Sequence, residues 1–278
     1  MAKAGKQRLD ALLVEKSLCE SRAVAQRLIR AGEVKVNQQL VDKPGTLVAI
    51  DAEVAVAEKP PFVSRGGEKL AKALAEFRIE VTGRICLDGG ISTGGFTDCL
   101  LQGGAAQVYG VDVGYGQVAW KIRQDERVIL RERVNFRHLT PLMLYGENPW
   151  PNFGVMDLSF ISLTKVLEPL WQLLAPPKEV VLLVKPQFEV GREKIGKKGV
   201  VRNALDQAAA IDQVWRSAQF FGWKFAGLTY SPITGPAGNV EYLLWLNQTA
   251  TNPAPTLQNF QVIATDALKS LTKYSYFN

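Results

Sequence analysis

From Arg84 onward the chain is punctuated by short apolar runs rich in β-branched residues: RICLDGG, AQVYGVDV, RVILRE, FGVMDLSF and EVVLLVKP. Stretches of helical composition separate them. Strands that alternate with helices are joined by crossovers rather than hairpins, which predicts a mostly parallel sheet with helices on both faces, an α/β domain. In an open sheet of this kind ligands bind outside the carboxyl ends of the strands, so the residues that follow each run are the ones to inspect.

The most informative junction is LDGGISTGGFTDCLL, where a strand ending at Asp88 enters a loop containing Gly89, Gly90, Gly94 and Gly95 and then a helix. A glycine-rich strand-to-helix turn lets a ligand approach the backbone and the positive helix end. No lysine follows the glycines, so this is not a P-loop, and the spacing departs from GxGxxG. The next run ends in Asp112, where a carboxylate can accept hydrogen bonds from both hydroxyls of a ribose. Together the loop and the acid point to an adenosine-type ligand; the plainer alternative is that Asp88 and Asp112 cap neighbouring helices.

The first sixty residues read as a separate small α+β unit of two short helices followed by strands. Ser21 caps the second helix and Gly32 ends it, with Val24, Leu28 and Ala31 on the inward face and Arg22, Gln26 and Arg30 on another. GEVKVN then reads as a turn and a strand carrying Lys35. The prolines and glycines of EKPPFVSRGG mark a boundary. The expected division is residues 1–59, a linker at 60–67, the α/β domain at 68–247, and a tail with one short helix at 248–278.

Lys and Arg exceed Asp and Glu by 33 to 27, which favours a polyanionic partner such as nucleic acid. Cys19, Cys86 and Cys99 are far apart, so neither disulfides nor a zinc site is indicated, and a reducing cytoplasm fits. No secretion signal or membrane span is read in the sequence. His138, the one histidine, excludes histidine metal clusters and disfavours a triad hydrolase; it reads as structural, and no metal is expected.

DGGISTGGFTDCLLQGGA, followed by VYGVDVGYGQ, VMDLSFISL, LVKPQFEVGR and SPITGPAGNVEYLLWL, resembles the TlyA family of RNA methyltransferases, whose catalytic domain is related to FtsJ. RLDALLVEKSLCESRAVAQRLIRAGEVKVN resembles the small RNA-binding domain named after ribosomal protein S4. The resemblance spans nearly the whole chain. It implies a Rossmann-like class I methyltransferase sheet that uses S-adenosylmethionine to methylate a 2′-hydroxyl of ribosomal RNA, at a cytidine. It further implies a catalytic tetrad of Lys69, Asp157, Lys185 and Glu241, with Asp88, Gly89, Gly90, Ser92, Thr93, Gly94, Gly95, Phe96, Asp112, Asn135 and Asp157 about the cofactor. Arg8, Arg22, Arg30, Lys35 and Arg65 become the RNA-binding set, and ribosomal RNA or a ribosomal subunit the partner of a monomer. Asn135 departs from the family pattern, which has an acid near the adenine.

A ribose hydroxyl is a weak nucleophile that must meet the sulfonium methyl in line while losing its proton. A lysine with a pKa lowered by burial and a neighbouring cation can take that proton; Lys185 is assigned this role, with Lys69 orienting the hydroxyl and Asp157 and Glu241 holding the two ammonium groups. The alternative is that lysine charge stabilises a developing alkoxide. Plainer readings stand beside each: Lys69 as a solvated helix residue, Asp157 as the cap of a helix starting near Leu163, Glu241 in a surface ion pair, Phe96 as core, and the basic face of the second helix as merely solvated.

Three rival functions follow. Members of the same family have been described as haemolysins, but the sequence shows no segment suited to lysing a membrane. A non-catalytic ribosome-binding protein is disfavoured by the filled tetrad. A small-molecule methyltransferase, open on fold alone, is disfavoured by the appended RNA-binding domain.

Overall fold

The structure, a computed structural model, describes residues 5–57 and 60–273, with side chains through Leu271. The first four residues, the pair at 58–59 in the expected boundary and the last five of the expected tail lie outside the described residues. The chain divides into two compact units, Met1–Pro60 and Pro61–Asn278.

The first unit contains β1 (Lys6–Arg8), α1 (Leu9–Glu15), α2 (Arg22–Arg30), β2 (Val34–Val36), β3 (Gln39–Leu40), β4 (Leu47–Ala49) and β5 (Val54–Val56). β1 pairs antiparallel with β4, and β2 lies between β3 and β5. Ser21 caps α2 by accepting from the Val24 amide at 3.3 Å, as its sequence position predicts. The inward face is shifted from the expected one: Ala25, Leu28 and Ile29 are buried, Val24 is half-buried, and Ala31 is exposed at the helix end. These residues pack on Leu9, Leu12 and Leu13 of α1. Buried Val and Leu side chains of this kind each contribute about 1.5–3 kcal/mol to the unit's core.

The second unit begins with α3 (Gly66–Phe77), followed by β6 (Ile85–Gly89), α4 (Gly95–Gln102), β7 (Gln107–Val111), α5 (Trp120–Arg123), β8 (Val128–Arg131), α6 (Pro141–Tyr145), β9 (Phe153–Met156), α7 (Leu167–Leu173) and β10 (Glu179–Val184). α8 (Pro186–Glu189), α9 (Ala204–Phe220), β11 (Lys224–Tyr230), β12 (Tyr242–Asn247) and α10 (Leu257–Lys273) complete it. Seven strands form one sheet in the order β11-β12-β10-β9-β6-β7-β8. β10, β9, β6, β7 and β8 run parallel, and β12 is antiparallel to both neighbours.

Alternation along each strand splits the core in two. Val180, Leu182 and Val184 of β10 face one way, into the cluster that holds α7, α9 and α10, whereas Val181 and Leu183 face α3 and α4. The expected mostly parallel sheet with helices on both faces is the observed one. Two expected segments differ. Residues 61–67 group with the second unit, and α3 already starts at Gly66, with the amide of Val63 donating to Asp98 of α4 at 2.9 Å. The expected short terminal helix is a 17-residue one whose Phe260, Ala264 and Ala267 belong to the main core.

Candidate active site

The chain leaves β6 toward β7 on one side, while β9 pairs with β6 on the other, so the crevice between β6 and β9 is the sheet's switch point. Register aligns the strand ends there: Gly89 opposes both Val111 and Met156, and Met156 opposes Leu182 of β10. Asp112 follows β7, Asp157 follows β9 and Lys185 follows β10, so all three emerge at one edge. Val184 of β10 faces Tyr242, the first residue of antiparallel β12, which brings Glu241 to the same edge.

Lys69, on α3, is 8% exposed, and its ammonium donates to Glu241 Oε2 at 2.6 Å; Glu241 is 1% exposed. The plain readings of a solvated lysine and a surface ion pair are thereby excluded. Lys185 Nζ lies 2.6 Å from Asp157 Oδ1, but the two are not aligned as a hydrogen bond, and Asp157 Oδ1 has none. The aligned bond from Lys185 goes to Ser159 Oγ, at 2.8 Å. Asp157 caps no helix: the short 3-10 turn Leu163–Lys165 is capped by Ser162. The four tetrad positions are thus two lysine–carboxylate pairs, and all four residues line one cavity of about 310 Å³, with Ser64, Arg65, Gly66 and Thr93 around it.

A second cavity, of about 440 Å³, adjoins the first and shares Gly90, Ser92, Asp157 and Ser159 with it. Its walls are apolar at Val111, Val134, Phe136 and Ile161 and polar at Asp112 and Asn135. Both volumes lie in or near the usual range of small-molecule sites. The Asp112 carboxylate is fixed by the backbone: Oδ2 accepts from the Ser92 amide at 2.8 Å and Oδ1 from the Gly114 amide at 2.7 Å. It therefore ties the glycine loop to the loop after β7, with lone pairs remaining on the cavity side. Asn135 Oδ1 accepts from the Arg137 amide at 3.1 Å, which leaves its amide NH₂ as the group available to a ligand. Gly90 has a φ of +85°, and a Cβ there would lie 2.5 Å from the Asp157 carbonyl oxygen. At Gly95 a Cβ would meet Ser64 Oγ at 2.2 Å, so the helix start can lie against α3 only without a side chain.

Not every expected cofactor residue lies on a cavity wall. Asp88, Gly89 and Gly94 are behind it, and Phe96 lines the tetrad cavity while packing into the core, away from the larger cavity. Asp88 is fully buried on the α4 face of the sheet, where Oδ2 accepts from Thr97 Oγ1 at 2.6 Å and Oδ1 has no partner. Burial pushes this carboxyl up to about 7, the charges of Asp157 and Asp112 add to the rise, and the Thr97 hydroxyl opposes it.

The basic set is divided by the fold. Arg8 and Arg22 both reach the buried carboxylate of Asp10, at 2.9 and 3.1 Å, and Gln26 donates to it at 2.9 Å, so Arg22, with Gln26, also holds α1 to α2, while Arg8 ties the end of β1 to α1. Arg30 and Lys35 are exposed. Arg65 belongs to the second unit, at the wall of the tetrad cavity. His138 is exposed at the end of a one-turn 3-10 helix rather than buried as a structural residue. Sequence reasoning missed Ser159, Ser64 and Thr97: Ser159 meets Lys185 from 26 residues away, while Thr97 lies only nine residues from Asp88 but carries no feature of type or spacing that marks its contact.

Five parallel strands, an antiparallel last strand inserted beside β10, and a glycine loop at the switch point are the frame of a Rossmann-like methyltransferase fold. The chain belongs to the FtsJ-like methyltransferase family, whose profile matches residues 62–248, and an S4 domain matches residues 7–54. It is 50% identical over 243 residues to a Bacillus subtilis protein provisionally named an rRNA methyltransferase, YqxC, covering 87% of this chain and 86% of that one. It is 46% identical to the 16S/23S rRNA (cytidine-2′-O)-methyltransferase TlyA of Mycobacterium tuberculosis, covering 87% of this chain and 90% of that one. A solved structure from Streptococcus thermophilus, provisionally named a hemolysin, superposes with a TM-score of 0.75 at 40% identity, covering 98% of this chain and 99% of that one. Among the described residues no helix is long and apolar enough to cross a membrane.

Proposed function

We propose that this chain is an S-adenosylmethionine-dependent methyltransferase that modifies a ribose 2′-hydroxyl of ribosomal RNA, at a cytidine. The observation that carries the reading is the pair of adjoining cavities: one has the shape and polarity for a nucleoside, and the other is walled by Lys69, Glu241, Lys185 and Asp157. Asp112 would accept from the ribose of the cofactor and Asn135 would donate toward its adenine, while the bare Gly90 would let it lie against the backbone beside Asp157. S-adenosylmethionine supplies, when bound, an electrophilic methyl on a sulfonium.

The chain's own groups then act on the hydroxyl. Lys69, held by Glu241, and Lys185, held between Ser159 and Asp157, face the same space from two elements. A hydroxyl placed between them would be oriented by Lys69, with Lys185 placed to take the proton it gives up when its oxygen accepts the methyl and the carbon–sulfur bond breaks to leave a neutral thioether. Fixing the attacking oxygen supplies much of the rate, and the proton acceptor roughly 10²–10⁴-fold more. The amino-terminal unit would dock on structured RNA, with Arg30 and Lys35 on phosphates, and raise the local concentration of the target ribose. The test is Lys185→Ala: methyl transfer is abolished while cofactor and RNA binding stay close to wild type. Retained transfer by that variant would remove Lys185 from the chemistry.

A further inference from the structure

Between Lys185 and α9 the chain makes a projecting loop, GREKIGKKGVVRN, with five cations and one acid among residues 192–202. Lys194 is paired with Asp206 of α9 at 3.0 Å. Lys197 and Lys198 are exposed and have no ion-pair partner among the described residues. They occupy the two central positions of a tight turn: the Gly199 amide donates to the Gly196 carbonyl at 2.8 Å, the Gly196 amide donates to the Val200 carbonyl at 3.1 Å, and Gly199 has a φ of +74°. Nothing in the fold of the second unit needs two unpaired lysines there.

The turn is held firmly. Asn239, only 2% exposed, donates from Nδ2 to the Gly199 carbonyl at 2.8 Å and accepts at Oδ1 from the Val201 amide at 3.0 Å. The Val201 carbonyl accepts from Gln207 at 2.6 Å, and Gln207 in turn accepts from the Tyr242 hydroxyl. Asn239 is also tied to the segment that walls the tetrad cavity: its carbonyl accepts from the Gly235 amide at 2.9 Å, Glu241 is two residues on, and Ile233, Thr234 and Pro236 line that cavity. A flexible solvated lysine loop would not need a buried amide at its base. One bolted to the cavity wall carries its two charges at a set place relative to Glu241 and Lys69.

We propose that the turn Gly196–Gly199 is a phosphate clasp for the RNA strand that enters the tetrad cavity, with Lys197 and Lys198 neutralising two backbone phosphates beside the target nucleotide. The inference rests on RNA being the substrate. Its role is register and affinity, not sequence reading, because lysine contacts to phosphate carry no base information.

The test measures the salt dependence of binding of the full chain to ribosomal subunits, for wild type and for the Lys197→Gln/Lys198→Gln double variant. Loss of two phosphate contacts makes the log–log salt slope shallower by about 1.4–1.8, so wild type loses about tenfold more affinity than the variant between 50 and 200 mM salt. The variant's KM for RNA rises at low salt, with kcat and cofactor affinity unchanged. Lys224→Gln, at the opposite end of the sheet beside Asn247, keeps the wild-type slope. Parallel slopes for wild type and the double variant overturn the clasp. The slope is read without turnover, so a wild type that shows it yet transfers no methyl supports the clasp and refutes the enzyme reading.

Discussion

The buried pair Lys69–Glu241 allows stability and chemistry to be separated. Their side chains are 10% and 2% exposed, and the ammonium lies 2.6 Å from the carboxylate. Glu241→Ala leaves a lysine charge buried with no counter-ion, a loss that costs about 3–5 kcal/mol where such pairs have been broken. For a domain of this size each kcal/mol moves Tm by about 2–4 °C, so the single variant melts about 6–20 °C lower. Replacing both partners by apolar residues, as Lys69→Met/Glu241→Leu, removes charge and counter-charge together, and the desolvation cost of the pair disappears with them. The double variant therefore recovers most of the lost Tm. It recovers no methyl transfer, because the ammonium that orients the hydroxyl is gone. Calorimetry on the three proteins, with a methyl-transfer assay on each, reads both quantities. Two outcomes refute the reasoning: Glu241→Ala melting with wild type, which denies the burial of the pair, or activity returning in the double variant, which makes the pair structural only.

Other perturbations test the rest of the site. Gly90→Ala combines a φ of +85° with a Cβ 2.5 Å from a carbonyl oxygen; it is expected to cost about 1–2 kcal/mol from backbone conformation alone and to weaken cofactor binding at least tenfold by calorimetric titration. Asp88, raised to about 7 from 3.8, binds a proton in the folded state that the unfolded chain releases, so stability falls as pH rises from about 4 to 7. Over about three pH units this amounts to at most about 4 kcal/mol, and Asp88→Asn should flatten that part of a urea-unfolding series against pH. Asp10 behaves oppositely: the guanidinium of Arg8 holds its carboxyl well below the usual range against the opposing effect of burial, with Gln26 and Arg22 adding to the lowering. Its contribution is present above about pH 4 and lost as pH falls further, so acid melting of the first unit is expected to be less steep in Asp10→Asn.

How much of this was legible follows from where each signal resides. β10 is buried on both faces, so it is apolar from Val180 to Val184 and its end can be read directly; β7 and β9 are readable for the same reason, and Asp112, Asp157 and Lys185 come with them. β11 was not read. Its sequence, KFAGLTY, sits at the sheet edge, half exposed, with an irregularity between Phe225 and Gly227 that breaks the alternation. The length of α10 is poorly marked because it docks through Ala264 and Ala267 as much as through Phe260, and small residues leave little hydrophobic signal. Nothing within GGEKLAKAL separates Lys69 from Lys72: one meets Glu241 and the other donates to the Tyr230 carbonyl, a difference made by strands more than 150 residues away. The family resemblance, not the local pattern, selected Lys69. In α2 the sequence shows the helical period but not its phase, since Ala25 and Ile29 are buried in place of Ala31. The Ser159 contact, like the Asn239 latch, joins loops that only the assembled sheet edge brings together.

The central claim is tested most directly by incubating the full chain with radiolabelled S-adenosylmethionine and ribosomal subunits from cells that lack this protein, then mapping any modified nucleotide by mass spectrometry. The account predicts label fixed as a 2′-O-methyl group on the ribose of a cytidine in ribosomal RNA. Tight cofactor binding with no label on any RNA, or label on a base instead of a ribose, would contradict it.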